Sequence, residues 1–85
     1  MNLIEGWIYH EDDETGSYEA MLPEDIRRIT DSTVKIEVVP LGKDEYQVTV
    51  DVPDKWWKEL GRNGVIKKKI GSDEHGSYYF ETEMP

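Results

Sequence analysis

The sequence predicts an α+β domain built on antiparallel sheet, in the order ββαββαββ, and three observations carry that expectation. Two runs alternate apolar and polar residues: Val34, Ile36 and Val38 around Lys35 and Glu37, then Tyr46, Val48, Val50 and Val52 around Gln47, Thr49 and Asp51. A turn phrase occurs twice, as Asp13-Glu14-Thr15-Gly16-Ser17-Tyr18 and as Asp73-Glu74-His75-Gly76-Ser77-Tyr78. Two short segments carry helix-start chemistry: Pro23 before Glu24 and Asp25, and Asp54 before Trp56, Trp57 and Leu60.

The elements follow in chain order. Residues 7–10 and 18–22 form a first hairpin, and residues 65–70 and 78–82 a last one. At the two tips, Gly16 and Gly76 are each expected to supply the positive φ of a tight turn. The first helix starts at Pro23, sets Ile26 and Ile29 on one face, and ends near Thr30. Leu41-Gly42-Lys43-Asp44 links the two central strands as a hairpin loop. Asp54 is expected to cap the second helix, whose Trp56, Trp57 and Leu60 share a face and which ends at Gly61 and Asn63-Gly64; at least one Trp is expected to pack inward, leaving the other to reach a rim or a partner.

Size and composition bound the function. A chain of 85 residues forms one domain (residues 1–85), burying about 60% of its unfolded surface, which leaves room for one modest core and no deep cleft. The absence of Cys removes disulfides, thiolate nucleophiles and thiolate metal sites. No stretch reaches the ~18 apolar residues of a membrane span, and the start lacks a basic n-region, so a cytoplasmic protein away from membranes is expected.

Charge is the sequence's main functional clue. From Met1 to Ile26 there are eight carboxylates (Glu5, Glu11, Asp12, Asp13, Glu14, Glu19, Glu24, Asp25) and no Lys or Arg. Basic residues fall in the middle of the chain, and after Lys69 only acids remain: Asp73, Glu74, Glu81 and Glu83. With a net charge of −9, this segregation suggests two acidic patches flanking a basic one, attracting cationic partners and repelling nucleic acid. Service to solubility alone is the plain alternative.

The first five elements resemble the AbrB/MazE swapped-hairpin family of prokaryotic transcription regulators and antitoxins. The residues that carry the likeness are Asp13-Glu14-Thr15-Gly16, then Leu22-Pro23-Glu24-Asp25-Ile26-Arg27-Arg28, then a Val-Lys-Ile-Glu-Val strand, within residues 6–52. The resemblance implies a homodimer made by interleaving hairpins. Where such regulators carry phosphate-binding cations on the first hairpin, this chain has Tyr9, His10 and Ser17; Arg27 and Arg28 alone match. A local likeness also runs through Met21-Leu22-Pro23-Glu24-Asp25-Ile26, which is similar to the strand-to-helix segment of the phage uracil-DNA glycosylase inhibitors, acidic single-domain proteins that mimic duplex DNA.

Enzyme chemistry finds little support. His10 beside Glu11 and His75 beside Glu74 are the only imidazoles, and both lie at hairpin tips where nothing excludes water. Asp12-Asp13-Glu14 lacks the ligand spacing of a calcium loop, and the serines and glycines form no nucleophile elbow or phosphate loop. Lys67-Lys68-Lys69 with Arg62 beside Trp56-Trp57 has the composition of a nucleic-acid patch. Alternation separates Lys68 from its neighbours, however, and a lysine-protected edge strand accounts for the run more simply.

The expectation is therefore a non-enzymatic acidic interaction protein: an inhibitor, nucleic-acid-mimic decoy or antitoxin occupying the basic site of a nucleic-acid-binding enzyme, with no cofactor and no metal. Its partner-binding residues are expected to be Glu11, Asp12, Asp13, Glu14, Glu19, Glu24, Asp25, Asp73 and Glu74, with Trp57 as an apolar anchor. An AbrB-like DNA-binding regulator using Arg27, Arg28 and Lys67 to Lys69 is the rival, and a structural subunit of a larger assembly the third possibility.

Overall fold

The computed structural model describes residues 1–84. The fold is α+β: a six-stranded antiparallel sheet with two helices. Its elements are β1 (Leu3–Asp12), β2 (Tyr18–Ala20), α1 (Pro23–Ile26), β3 (Lys35–Pro40), β4 (Tyr46–Asp51), α2 (Asp54–Asn63), β5 (Val65–Ser72) and β6 (Gly76–Glu83). Strand order is β3-β4-β1-β6-β5, with β2 also paired to β1.

β1 organises the sheet by changing partners along its length. Leu3, Ile4, Glu5 and Gly6 pair with β4, and from Trp7 to Asp12 the strand pairs with β6. Beyond the reach of β4, Tyr9, His10 and Glu11 pair with β2. The switch falls at Gly6, where a Cβ would come within 2.6 Å of the Glu81 carbonyl oxygen and 2.7 Å of the Phe80 ring. Only glycine lets the backbone pass there.

Alternation then sorts the two faces. Ile4 and Ile8 of β1, Val48 and Val50 of β4, Phe80 of β6, and Ile66 and Ile70 of β5 form one buried layer, joined by Ile26 of α1 and Leu60 of α2. Burying each of these large side chains contributes about 1.5–3 kcal/mol. Thr82 is the buried polar residue of this layer, and its Oγ1 donates to the Glu5 carbonyl at 2.7 Å. The other face carries Trp7, Tyr9, Tyr79, Lys67 and Lys69. At one corner the edges meet, since the Thr33 N–H just before β3 donates to the Ile70 carbonyl of β5 at 2.8 Å.

Four local expectations are corrected. The first helix is a single turn, Pro23–Ile26, with Pro in its first positions and Arg27 as its C-cap. Asp54 does not cap α2: Pro53 holds the N-cap position, and the Asp54 carboxylate instead accepts a hydrogen bond from Asn2 Nδ2 at 2.7 Å. Gly61 lies inside α2, which ends where Gly64, at φ 79°, donates its N–H to the Leu60 carbonyl. Gly76 does not adopt positive φ, as Gly16 does at 70°. Gly76 is needed because a Cβ would run into the Glu11 carbonyl of the neighbouring strand.

The glycines separate these causes experimentally. Gly76→Ala should destabilise the domain by about 1–3 kcal/mol through that clash. Gly61→Ala, whose Cβ meets open space on a helix, should stabilise it by about 0.5–1 kcal/mol. Urea unfolding midpoints measure both, and a shift of the same sign in the two variants would contradict the assignment.

Candidate functional site

Each hairpin tip is built on one aspartate. In the first, Asp12 Oδ1 accepts the backbone N–H groups of Glu14 at 2.9 Å and Thr15 at 3.0 Å. In the second, Asp73 Oδ1 accepts those of His75 at 2.9 Å and Gly76 at 2.8 Å. Both are Asx turns, in which a short carboxylate replaces the carbonyl of a backbone turn. The equivalent residues are thus Asp12 and Asp73, so the repeated phrase is offset by one between the tips. The first tip holds the extra residue, with Gly16 at positive φ and its N–H on the Asp12 carbonyl at 2.8 Å.

The tips, sixty residues apart in sequence, are fastened together. The Asp13 N–H donates to the His75 carbonyl at 2.9 Å, and the β1–β6 ladder continues to the pair Asp12 and Gly76. Asp73 reinforces the join, with Oδ1 3.2 Å from His10 Nε2 and Oδ2 accepting the Tyr78 hydroxyl at 2.8 Å. His10 is therefore a half-buried cross-link between β1 and the second tip, rather than a free turn histidine.

This junction gathers most of the expected acidic residues. A groove of about 710 Å³ between the tips and α1 is lined by Asp12, Glu19, Asp25, Asp73 and Glu74, with His10, His75 and Arg28 among them. Asp13 and Glu14 are exposed on the crest of the first tip, and Glu24 is exposed on α1. The two acidic ends of the chain therefore merge into one patch instead of flanking a basic centre. Arg28 lies at its margin, 3.9 Å from Asp25.

Two expected contributors lie elsewhere. Glu11 shares its register with Tyr18 and Ser77, on the sheet face opposite the groove. Trp57 stands 51% exposed beside a cleft lined by Leu3, Trp7 and Met84. That cleft is at the Leu3 end of β1, about 30 Å of strand from the tips. Of the tryptophan pair, Trp56 packs against the core with Leu60, and Trp57 is the one that faces outward.

The basic run is dispersed too. Lys68 points to the helix side and pairs with Glu59 at 2.7 Å. Lys67 lies on the outer face with its Nζ 4.2 Å from the Tyr18 ring centroid and 5.3 Å from that of Tyr79. Tyr9 stacks on Tyr18 at 4.7 Å with 10° between the rings. This tyrosine–lysine column had no local sequence signal, because it joins four strands whose register no single segment encodes. Among the described residues, no group of three His, Cys, Asp or Glu side chains is arranged to hold a metal ion.

Hydrogen bonding keeps the tip aspartates ionised. The backbone N–H groups of Thr15 and Glu14 hold the Asp12 carboxyl below its usual range. For Asp73, burial pushes upward, but the hydrogen bonds from Tyr78, His10, His75 and Gly76 outweigh it and leave the carboxyl well below its usual range. Burial and the Asp73 carboxylate push Tyr78 up to about 12, and burial with Glu81 pushes Tyr18 up to about 12.

A depressed aspartate stabilises the fold above the pKa of the unfolded chain and loses that contribution as pH falls toward the folded value. The folded domain should therefore lose stability below about pH 4, and Asp73→Asn should be less stable near neutrality yet show a shallower acid slope. Urea unfolding across pH tests this, and an unchanged slope would contradict it. The tyrosines act oppositely, stabilising below pH 10 and losing that contribution as they ionise near 12. Phenolate absorbance should thus show Tyr18 and Tyr78 titrating late. No protein-family model matches the chain, and neither a curated protein nor a solved structure is significantly similar to it.

Proposed function

We propose that this protein is a non-enzymatic inhibitor or decoy whose merged acidic tips occupy the basic site of a nucleic-acid-acting protein. One observation supports this reading above the others: the hydrogen bond from Asp13 to His75 fixes acids from both ends of the chain in one patch. Carboxylates held at fixed spacing can replace phosphates in a basic groove, releasing the counterions that nucleic acid would release. The tip aspartates organise the turns, which leaves Asp13, Glu14, Glu19, Glu24, Asp25 and Glu74 to present charge to a partner. Steering by such a patch raises association rates and weakens as salt screens it.

The rival DNA-binding reading would draw on Arg27, Arg28, Lys67 and Lys69, all exposed. It has to contend with Lys67 lying against tyrosine rings and with a net charge of −9.

Asp13→Lys, Glu14→Lys and Glu74→Lys combined would reverse the charge at three exposed positions of the two tips, cancelling most of the patch's negative charge without touching the turn-forming carboxylates. The immobilised protein should capture nucleic-acid-binding proteins from a prokaryotic lysate, release them to added duplex DNA or high salt, and lose capture about tenfold or more in the triple variant. Capture that survives the reversal would contradict the proposal. Direct binding of duplex DNA by the protein at physiological salt would favour the DNA-binding regulator.

A further inference from the structure

We infer that two copies of this chain pair through the outer edge of β3, extending the sheet across a two-fold axis at Ile36. β3 ends the strand order, and among the described residues no hydrogen bond joins the outer edge of Lys35–Pro40 to another segment. Such an edge is a template for a further strand. Its register with β4 sets Ile36 and Val38 toward the core side and Lys35 and Glu37 toward the outer face.

The occupant follows from the residue pattern. Residues 34–38 read Val-Lys-Ile-Glu-Val, apolar at alternate positions with opposite charges either side of Ile36. An antiparallel copy centred on Ile36 therefore places Lys35 against Glu37 twice, Val34 against Val38 twice, and Ile36 against itself. The Lys35–Glu37 and Ile36–Ile36 pairs are favourable, and an isologous interface generates them from one strand. Val34 meets Val38 through its side chain, because its N–H donates to Ser32 Oγ at 3.2 Å and its carbonyl accepts the Ser32 hydroxyl at 2.7 Å. A foreign strand would have to supply the same pattern independently. The other edge is guarded: an antiparallel β5 pair centred on Lys68 would set lysine against lysine at all three positions.

The core side of β3 gives this pairing apolar surface to cover. Ile29, Val34, Ile36 and Val38 are only half-buried and line a groove of about 410 Å³ between α1 and β3. Pairing brings the corresponding rows of two copies side by side. Pro40 limits the ladder, because it has no N–H to donate. This inference does not depend on the acidic patch, which lies on other elements.

Sedimentation equilibrium tests the register through charge exchange. The wild type should populate a species of twice 9.9 kDa. Glu37→Lys, which creates two Lys–Lys contacts across the axis, should weaken the dimer about tenfold or more. Lys35→Glu should weaken it similarly, its fold being checked by circular dichroism because Asp51 is opposite within the protomer. The double exchange K35E/E37K should restore dimerisation to within about threefold of wild type. A wild type that stays monomeric at millimolar concentration would overturn the inference, as would a dimer indifferent to the single changes or a double exchange that fails to rescue.

Discussion

The acidic end of this protein depends on a close backbone approach between the end of β1 and the start of β6. Gly76 lies so near the Glu11 carbonyl that a Cβ has no room, and the Asp13 N–H reaches the His75 carbonyl one step further on. Without that approach, the two hairpins would be separate loops with separate charges. With it, Asp73 can reach His10 on the neighbouring strand while forming its own turn, so the same contact sets both geometry and charge. The cost is crowding of like charges, which backbone N–H donors offset at Asp12 and Asp73 and solvent offsets at the exposed tips.

A second constraint acts at the middle of β1. By changing partner at Gly6, one strand belongs to both the β3–β4 hairpin and the β5–β6 hairpin, so a short chain closes a core around Phe80 and Ile8. The same arrangement puts β3 and β5 at the sheet edges with different protection. β5 carries Lys67 and Lys69 outward, whereas β3 carries one charge of each sign, a difference that the proposed self-association rests on.

Much of the secondary structure was legible because its signals are local. The alternation in β3 and β4, Pro23 at the start of α1, and Gly16 in the first turn are all properties of a few adjacent residues. What was not legible was long-range. Gly76 looked like a turn glycine, but its role is set by Glu11, and Asp54 looked like a cap but is held by Asn2. The candidate site had the same character. The acids could be named from the sequence, yet the β1–β6 register that joins Asp12, Glu19 and Asp25 to Asp73 and Glu74 could not. Nor could the register that sets Glu11 and Trp57 apart from them. Helix periodicity alone could not decide between Trp56 and Trp57, because adjacent positions point about 100° apart.

The central claim is that the two tips act as one cation-binding surface. The most direct measurement is an NMR titration of the labelled protein with a short arginine-rich peptide at moderate salt. Amides of residues 13–16 and of residues 73–75 should shift together, along curves that fit one dissociation constant, with the outer sheet face unmoved. Shifts confined to one tip, or two tips responding with different constants, would mean that the acidic segments are neighbours without being a site.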